Sequence, residues 1–217
     1  MFADPSRFLL ELAILAPPML MAVTFHEVAH GAVAAWLGDP TARLAGRLTL
    51  NPFKHLDPLG LLAFVLTRMI GWAKPVPVDS RYFKNPSKGM ALVSAAGPAA
   101  NFALAVLSTL ALTGLESLYR SVPDLPLWPY LVSPLASMID ASIQVNLALG
   151  VFNLLPIPPL DGGHLLMGFL PRRLAYELSI RERWGFAVIM LLALTGMIGR
   201  FLGPVVGDLY NILLATF

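Results

Sequence analysis

Two histidines and a glutamate near the N-terminus have the spacing of a helix that binds a catalytic metal ion. They form His26-Glu27-Val28-Ala29-His30, inside an apolar stretch that begins at Phe8. On a helix, His26 and His30 lie one turn apart on one face, and Glu27 projects beside them. Two neutral imidazoles can therefore hold one zinc ion while the carboxylate reaches a water bound to it. The motif predicts hydrolytic metal chemistry within an apolar segment.

A third ligand must come from elsewhere in the chain, because a catalytic zinc normally takes three protein ligands and one water. Cysteine is absent, so the ligands must be His, Asp or Glu. The candidate is Asp161, which follows a proline-rich run and precedes Gly162-Gly163 at the end of an apolar segment. A carboxylate on irregular backbone at membrane depth indicates a functional site. The alternative is a simple turn residue before glycine.

The composition is that of a polytopic membrane protein. Of the 217 residues, 57% are hydrophobic and 13% are charged, against about 25% charged in soluble domains. The net charge is +2, but the basic residues are distributed over loops and form no single stripe. This distribution argues against nucleic acid as a partner and favours a topological role for the charges.

Two apolar segments are long enough to cross a hydrocarbon core about 30 Å thick, namely residues 90–115 and 141–160. Weaker candidates are residues 8–37, 59–73 and 184–217, which are shorter or interrupted by charges and prolines. We read the first of these as a retained helix and not as a cleaved signal peptide, since no small-residue cleavage site precedes the histidines. The expected fold is an all-α polytopic membrane protein of about 5–6 hydrophobic helices.

Most lysines and arginines fall between residues 38 and 88 or after Asp161, and the positive-inside rule places both regions in the cytoplasm. If both flanks of residues 59–73 are cytoplasmic, that segment re-enters the membrane or lies at its surface without crossing. Residues 116–133 carry a single arginine and are predicted to lie on the opposite side.

A small β element is expected near the cytoplasmic face. Residues 42–50 alternate partially around Gly46, which suggests a short hairpin. Residues 74–78, Lys-Pro-Val-Pro-Val, should be extended, because each proline biases its predecessor away from helix. An extended peptide could pair with such strands by strand addition.

Five pieces of sequence, in this order, together resemble the site-2 protease family of intramembrane zinc metalloproteases. They are His26–His30, residues 51–60 (NPFKHLDPLG), residues 71–78 (GWAKPVPV), residues 97–101 (GPAAN) and residues 153–163 (NLLPIPPLDGG). The resemblance is to the compact form of the family, without a PDZ or CBS domain. We therefore expect residues 1–217 to form a single intramembrane metalloprotease domain.

The resemblance implies a role for each matching residue. His26, His30 and Asp161 would bind one Zn²⁺ per chain, and Glu27 would be the general base. Asn153 would assist near the scissile carbonyl. The family further implies regulated proteolysis of transmembrane segments of other proteins, in the lipid bilayer of the cell membrane, by a multi-pass protein with its active site toward the cytoplasm. The oligomeric state stays open.

Several polar residues could have a structural role instead of a chemical one. Asn153 could cap exposed backbone or bridge helices, and Asn101 lies in an alanine-rich segment where close helix packing is at least as good an explanation as catalysis. His55 could be a secondary metal ligand or a substrate-gating group. However, Asn51-Pro52 and Asp57-Pro58 around it are turn signals, which favour a structural loop.

Other polar residues are less specific still. His164 is expected to be structural or to support the ligands. Gln144 and Asn146 lie within the apolar segment 141–160 and Asp140 directly precedes it, where they line a water cavity or pair with neighbouring helices. The sequence does not separate these two readings.

Two rival functions remain at this stage. A membrane zinc transporter or metal-sensing protein could use the same ligands. However, Glu27 favours hydrolysis, and no series of polar residues continues through the outer half of the membrane, as transport would need. A catalytically idle module that grips membrane helices is the other, and the intact ligand set argues against it.

Overall fold

The computed structural model describes residues 5–67, 71–122 and 128–217, which form helices joined by short turns. In chain order the α-helices are α1 (Pro5–Trp36), α2 (Thr41–Leu44), α3 (Pro58–Thr67), α4 (Pro86–Ser121), α5 (Ser133–Asn153), α6 (Asp161–Phe169), α7 (Arg172–Ser179), α8 (Glu182–Leu194) and α9 (Met197–Thr216). Short 3₁₀ turns cover Pro52–Lys54 and Ser80–Tyr82, and a π-helical turn covers Trp128–Val132.

Four of the described helical segments are long and apolar enough to cross a membrane, which agrees with the polytopic all-α expectation. They are Leu9–Trp36, Pro86–Ser121, Tyr130–Asn153 and Met197–Thr216. The predicted segment 184–217 is divided at Gly196, a left-handed residue with φ of 70° between α8 and α9. The ten residues of α3 extend about 15 Å, half of a hydrocarbon core, so this helix is too short to cross. Residues 68–70 of the predicted segment 59–73 lie outside the described residues.

The central helix is α4, which packs against α1, α5 and α6. Its start is fixed by Asn85, whose side chain accepts a hydrogen bond from Lys88 N, with Pro86 at the first helical position. One apolar cluster, of Ala34, Phe83 and Val93, joins α1 to α4. A second cluster joins α4 to α5 and α9; its buried members are Ala105, Ile143 and Leu147. Two of the helices resting on α4, namely α1 and α6, carry the predicted metal ligands.

The predicted hairpin over residues 42–50 is wrong. The short helix α2 begins at Thr41 instead, where Thr41 N donates a hydrogen bond to Asp39 Oδ1 just before the helix. That helix ends in a Schellman motif, in which Arg47 N donates to Ala42 O and Gly46 N donates to Arg43 O. Gly46 has a φ of 63° and supplies the left-handed residue that the motif requires. A glycine between partly alternating residues is a signal shared by hairpins and helix ends, and here it ends a helix.

Residues 74–78 have the extended backbone that the prolines predict, but they belong to no sheet. Among the described residues the β pairing is an isolated antiparallel bridge between Leu56 and Ala73, where Lys74 N donates to His55 O at 2.9 Å. Beyond the other end of the segment, Asp79 N donates to the buried carboxylate of Asp39 at 2.7 Å. The segment is thus held at both ends by hydrogen bonds.

Candidate metal centre

Three side chains that are up to 135 residues apart in sequence converge at one point. His26 and His30 come from α1, and Asp161 is the first residue of α6. The two Nε2 atoms are 3.0 Å apart, and Asp161 Oδ2 lies 3.1 Å from His26 Nε2 and 3.3 Å from His30 Nε2. Ligand atoms about 2.0–2.1 Å from a tetrahedral zinc ion are separated by about 3.3 Å. The three distances therefore match the edges of a zinc coordination tetrahedron.

The hydrogen bonds of the two imidazoles determine which ring nitrogen carries the proton. His30 Nδ1 lies 2.7 Å from Val93 O, and His26 Nδ1 lies 2.7 Å from Asn101 Oδ1. A carbonyl oxygen can only accept, so Nδ1 of each ring is the protonated nitrogen. The Asn101 amide has its oxygen toward the ring, because its Nδ2 donates on the other side, to Ala22 O at 3.2 Å among others. Both neutral rings consequently present unprotonated Nε2 atoms.

With neutral rings, these atoms form an arrangement that suits a cation. Two Nε2 lone pairs and a carboxylate oxygen face one another, and they repel unless a positive charge lies among them. Asp161 Oδ2 is buried and receives no hydrogen bond from the described part of the chain. Zn²⁺ fits this donor set of two imidazoles and one carboxylate, with both histidines oriented through their second nitrogen.

Asp161 reaches the site because α6 begins in close contact with the loop that follows α5. A Cβ on Gly162 would collide with the backbone of Leu154, and one on Gly163 with the backbone of Pro158. Only glycine allows this approach, which brings Asp161 at the start of α6 to the two histidines of α1.

Gly97 on α4 provides the space that the imidazoles occupy. A Cβ at this position would lie 2.5 Å from both His26 Cε1 and His30 Nε2. Real Cβ atoms do not approach other atoms so closely, so α4 can pass the two rings only with glycine here.

Glu27 follows His26 in sequence, and its carboxylate is held by the extended segment 74–78. Its Oε2 accepts a hydrogen bond from Val76 N at 2.7 Å. Val76 is flanked by Pro75 and Pro77, which have no N–H group, so it supplies the single backbone donor of that triplet. The sequence predicted the extended segment but gave no sign that its one N–H is directed at Glu27.

The remaining candidates lie outside the ligand cluster. Asn153 ends α5, and its Nδ2 donates to Leu149 O at 3.0 Å. His55 is fully buried and its Nε2 donates to Thr49 O at 2.8 Å, an arrangement that fits the structural reading. His164 Nε2 lies 3.7 Å from Glu182 Oε1. Asn101, in contrast, contacts a candidate ligand directly, and its signal in the sequence is an amide in the middle of an apolar span.

Fold and site together define a class, that of helical membrane proteins with a His-His-Asp zinc site and an adjacent glutamate. Residues 129–195 match the profile of peptidase family M50. The "Putative zinc metalloprotease YwhC" of Bacillus subtilis is 38% identical over 186 residues, covering 86% of this chain and 82% of that protein. The "Putative zinc metalloprotease Rip2" of Mycolicibacterium smegmatis is 31% identical over 185 residues, covering 84% and 67%.

The chain therefore belongs to peptidase family M50, the site-2 protease family, and is a zinc metalloprotease. No solved structure matches it significantly. The family acts on membrane-protein substrates, which agrees with the four apolar helices. Membership in a peptidase family decides against the transporter and the idle binding module.

Proposed function

We propose that the protein hydrolyses peptide bonds within or near transmembrane segments of other proteins, with His26, His30 and Asp161 as zinc ligands and Glu27 as general base. The observation that carries this proposal is the convergence of three ligand atoms, with separations of 3.0 to 3.3 Å, between apolar helices. A bound zinc ion would lower the pKa of a water toward about 7 and polarise the scissile carbonyl.

The side chains supply the proton transfers. Glu27 accepts a proton from the attacking water and delivers it to the leaving amine. The Val76 N–H binds Oε2, which fixes the carboxylate and leaves Oε1 to take the proton. Asn153 stands eight residues before Asp161 and is the candidate donor to the substrate carbonyl, after its amide leaves Leu149 O.

The site lies close to one end of α1. His30 is six residues before Trp36, a distance of about 9 Å along a helix. The segment between α1 and α3 contains Arg43, Arg47 and Lys54, so the positive-inside rule puts this end in the cytoplasm. Water would enter from that side. A substrate helix must unwind to expose its carbonyls, because these are hydrogen-bonded within the helix.

The test uses purified protein with a panel of single-pass membrane segments in detergent and in liposomes. The wild type should cleave at least one segment, and Glu27→Gln should not, while its zinc content stays at one ion per chain. Cleavage by both forms would rule out the proposed base.

The ligand set is tested separately by metal analysis. His26→Ala and Asp161→Ala should each lose most of the bound zinc, whereas His55→Ala, which alters a buried histidine outside the cluster, should keep it. Unchanged zinc in the first two variants would overturn the ligand assignment.

A further inference from the structure

We propose that Asn146 of α5 is a positioning residue that fixes the orientation of Asn101 and, through it, the tautomer of His26. This inference rests on the proposed role of His26 as a zinc ligand. Asn146 does not contact the ligands itself. It acts from behind them, at the interface of α1, α4 and α5.

The residues form a hydrogen-bonded chain that leads from α5 to the metal site. Asn146 Nδ2 donates to Ser142 O at 2.9 Å and lies 3.2 Å from Ser142 Oγ. Asn146 Oδ1 then accepts from Asn101 Nδ2 at 2.9 Å. Asn101 Oδ1 in turn faces His26 Nδ1 at 2.7 Å. Both amides are buried, with 0% of Asn101 and 1% of Asn146 exposed.

The chain has a fixed direction because it begins at a group that can only accept. Ser142 O is a backbone carbonyl, so the Nδ2 of Asn146 must face it and the Oδ1 must face α4. That oxygen requires the Nδ2 of Asn101, which leaves the Oδ1 of Asn101 toward His26. Each amide thus has one satisfied orientation.

Reversing the Asn101 amide would reverse the chemistry of His26. An NH₂ group facing Nδ1 would favour the tautomer with the proton on Nε2, and a protonated Nε2 cannot bind a metal ion in the site. It would also direct two acceptors at each other in a buried, apolar region, where unpaired polar groups are unfavourable. Ala22 O restrains the Asn101 amide as well, at the longer distance of 3.2 Å, so Asn146 is the closer of its two acceptors.

Packing alone does not account for Asn146. The next residue, Leu147, is also buried, at 2% exposure, and belongs to the apolar cluster with Ala105 and Ile143. A leucine would fill the space of an asparagine between apolar helices without a polar group to satisfy. An asparagine that is fully paired across two helices indicates that a hydrogen bond of fixed direction is needed at this position.

The experiment measures zinc affinity by chelator competition, together with the visible absorption spectrum of the Co²⁺-substituted protein, which reports the ligand geometry. Asn146→Leu should weaken zinc binding about 10- to 100-fold, the usual range for residues that orient a ligand, and should alter the Co²⁺ bands. Leu147→Ala is the matched control. It removes buried volume one residue away and should lower thermal stability while leaving zinc affinity within about twofold.

A second-site change distinguishes orientation from general structure. A carboxylate accepts from His26 Nδ1 whichever way it is turned, so Asn101→Asp in the Asn146→Leu background should recover most of the lost zinc affinity. Wild-type affinity and an unchanged Co²⁺ spectrum in Asn146→Leu would overturn the inference, as would an equal loss in Leu147→Ala. If His26→Ala also kept its zinc, the ligand assignment itself would fail, so the two failures are distinguishable.

Discussion

The helices that carry the metal site and the C-terminal pair α8 and α9 are stabilised in different ways. Around the site several of the buried residues are polar and hydrogen-bonded, namely Thr24, His26, Asn101 and Asn146. In α8 and α9, both fully described, no residue is buried. Partly buried apolar residues of α9 pack on the α4–α5 cluster, and Tyr210 donates a hydrogen bond to Asp140 of α5.

The difference shows which part of the protein must be exact in its geometry. Hydrogen bonds between buried amides and imidazoles have few satisfied arrangements, so they impose one register on α1, α4 and α5. Apolar contacts of α9 are non-directional and tolerate small shifts. The metal centre should therefore be sensitive to changes in its own helices and insensitive to changes in the C-terminal pair.

The largest effect is expected for Gly97→Val, which places a side chain where the two imidazoles lie. We expect loss of bound zinc and a fall in peptidase activity of about 100-fold or more. Gly114→Val on the same helix is the control, since a Cβ there has no atom within 4 Å. Metal analysis checks both. Full zinc occupancy in Gly97→Val would mean that α4 does not limit the site.

Next in size is Val76→Pro, which removes the N–H that binds Glu27. Activity should drop about 10- to 100-fold through kcat, while zinc content stays at the wild-type level, because Glu27 is not a ligand. Val76→Ala keeps the N–H and removes only part of the side chain, so its activity should remain close to that of the wild type. Equal losses in both variants would attribute the effect to packing.

A moderate effect on stability is expected for Gly46→Ala. The left-handed φ of 63° at this residue is unfavourable for any residue with a Cβ, by about 1 to 2 kcal/mol. Thermal or denaturant unfolding should show this loss. Gly199→Ala in α9 is a control without a positive φ or a close neighbour, and should be neutral or slightly stabilising. A neutral Gly46→Ala would argue against the helix-ending turn.

The smallest effect is expected for Tyr210→Phe, which removes the hydrogen bond from α9 to Asp140. Such bonds between membrane helices contribute about 0.6 kcal/mol on average. Unfolding should show this small loss and zinc affinity should not change. A clear loss of zinc affinity would abolish the distinction between the two regions.

The candidate ligands could be proposed from local sequence, because they lie in short motifs. The spacing of His26 and His30 is meaningful on any helix, and the prolines and glycines around Asp161 mark a carboxylate at a helix boundary. Asn101 was a candidate with two readings, and the structure adds its contact with His26.

The contacts between distant segments were not predictable. Asn146 and Asn101 are 45 residues apart in sequence, and they meet only when α4 and α5 pack in one particular register. The N–H of Val76 meets Glu27 across 49 residues, and no local pattern encodes that pairing. The hairpin over residues 42–50 was wrong for a related reason, since the same glycine can reverse a strand or end a helix, and Asp39 and its partners select the second.

The Pro-Val-Pro run limits how another chain can lie along residues 74–77. Lys74 N–H is bound to His55 O, Val76 N–H is bound to Glu27, and the two prolines have none. The backbone of residues 74–77 can therefore offer a neighbouring peptide only carbonyl oxygens, so the peptide must donate every backbone hydrogen bond. A peptide with proline or an N-methylated residue at each facing position could form no backbone hydrogen bond with residues 74–77. Replacing single amide hydrogens in a test substrate would therefore map which of its residues lie against this segment.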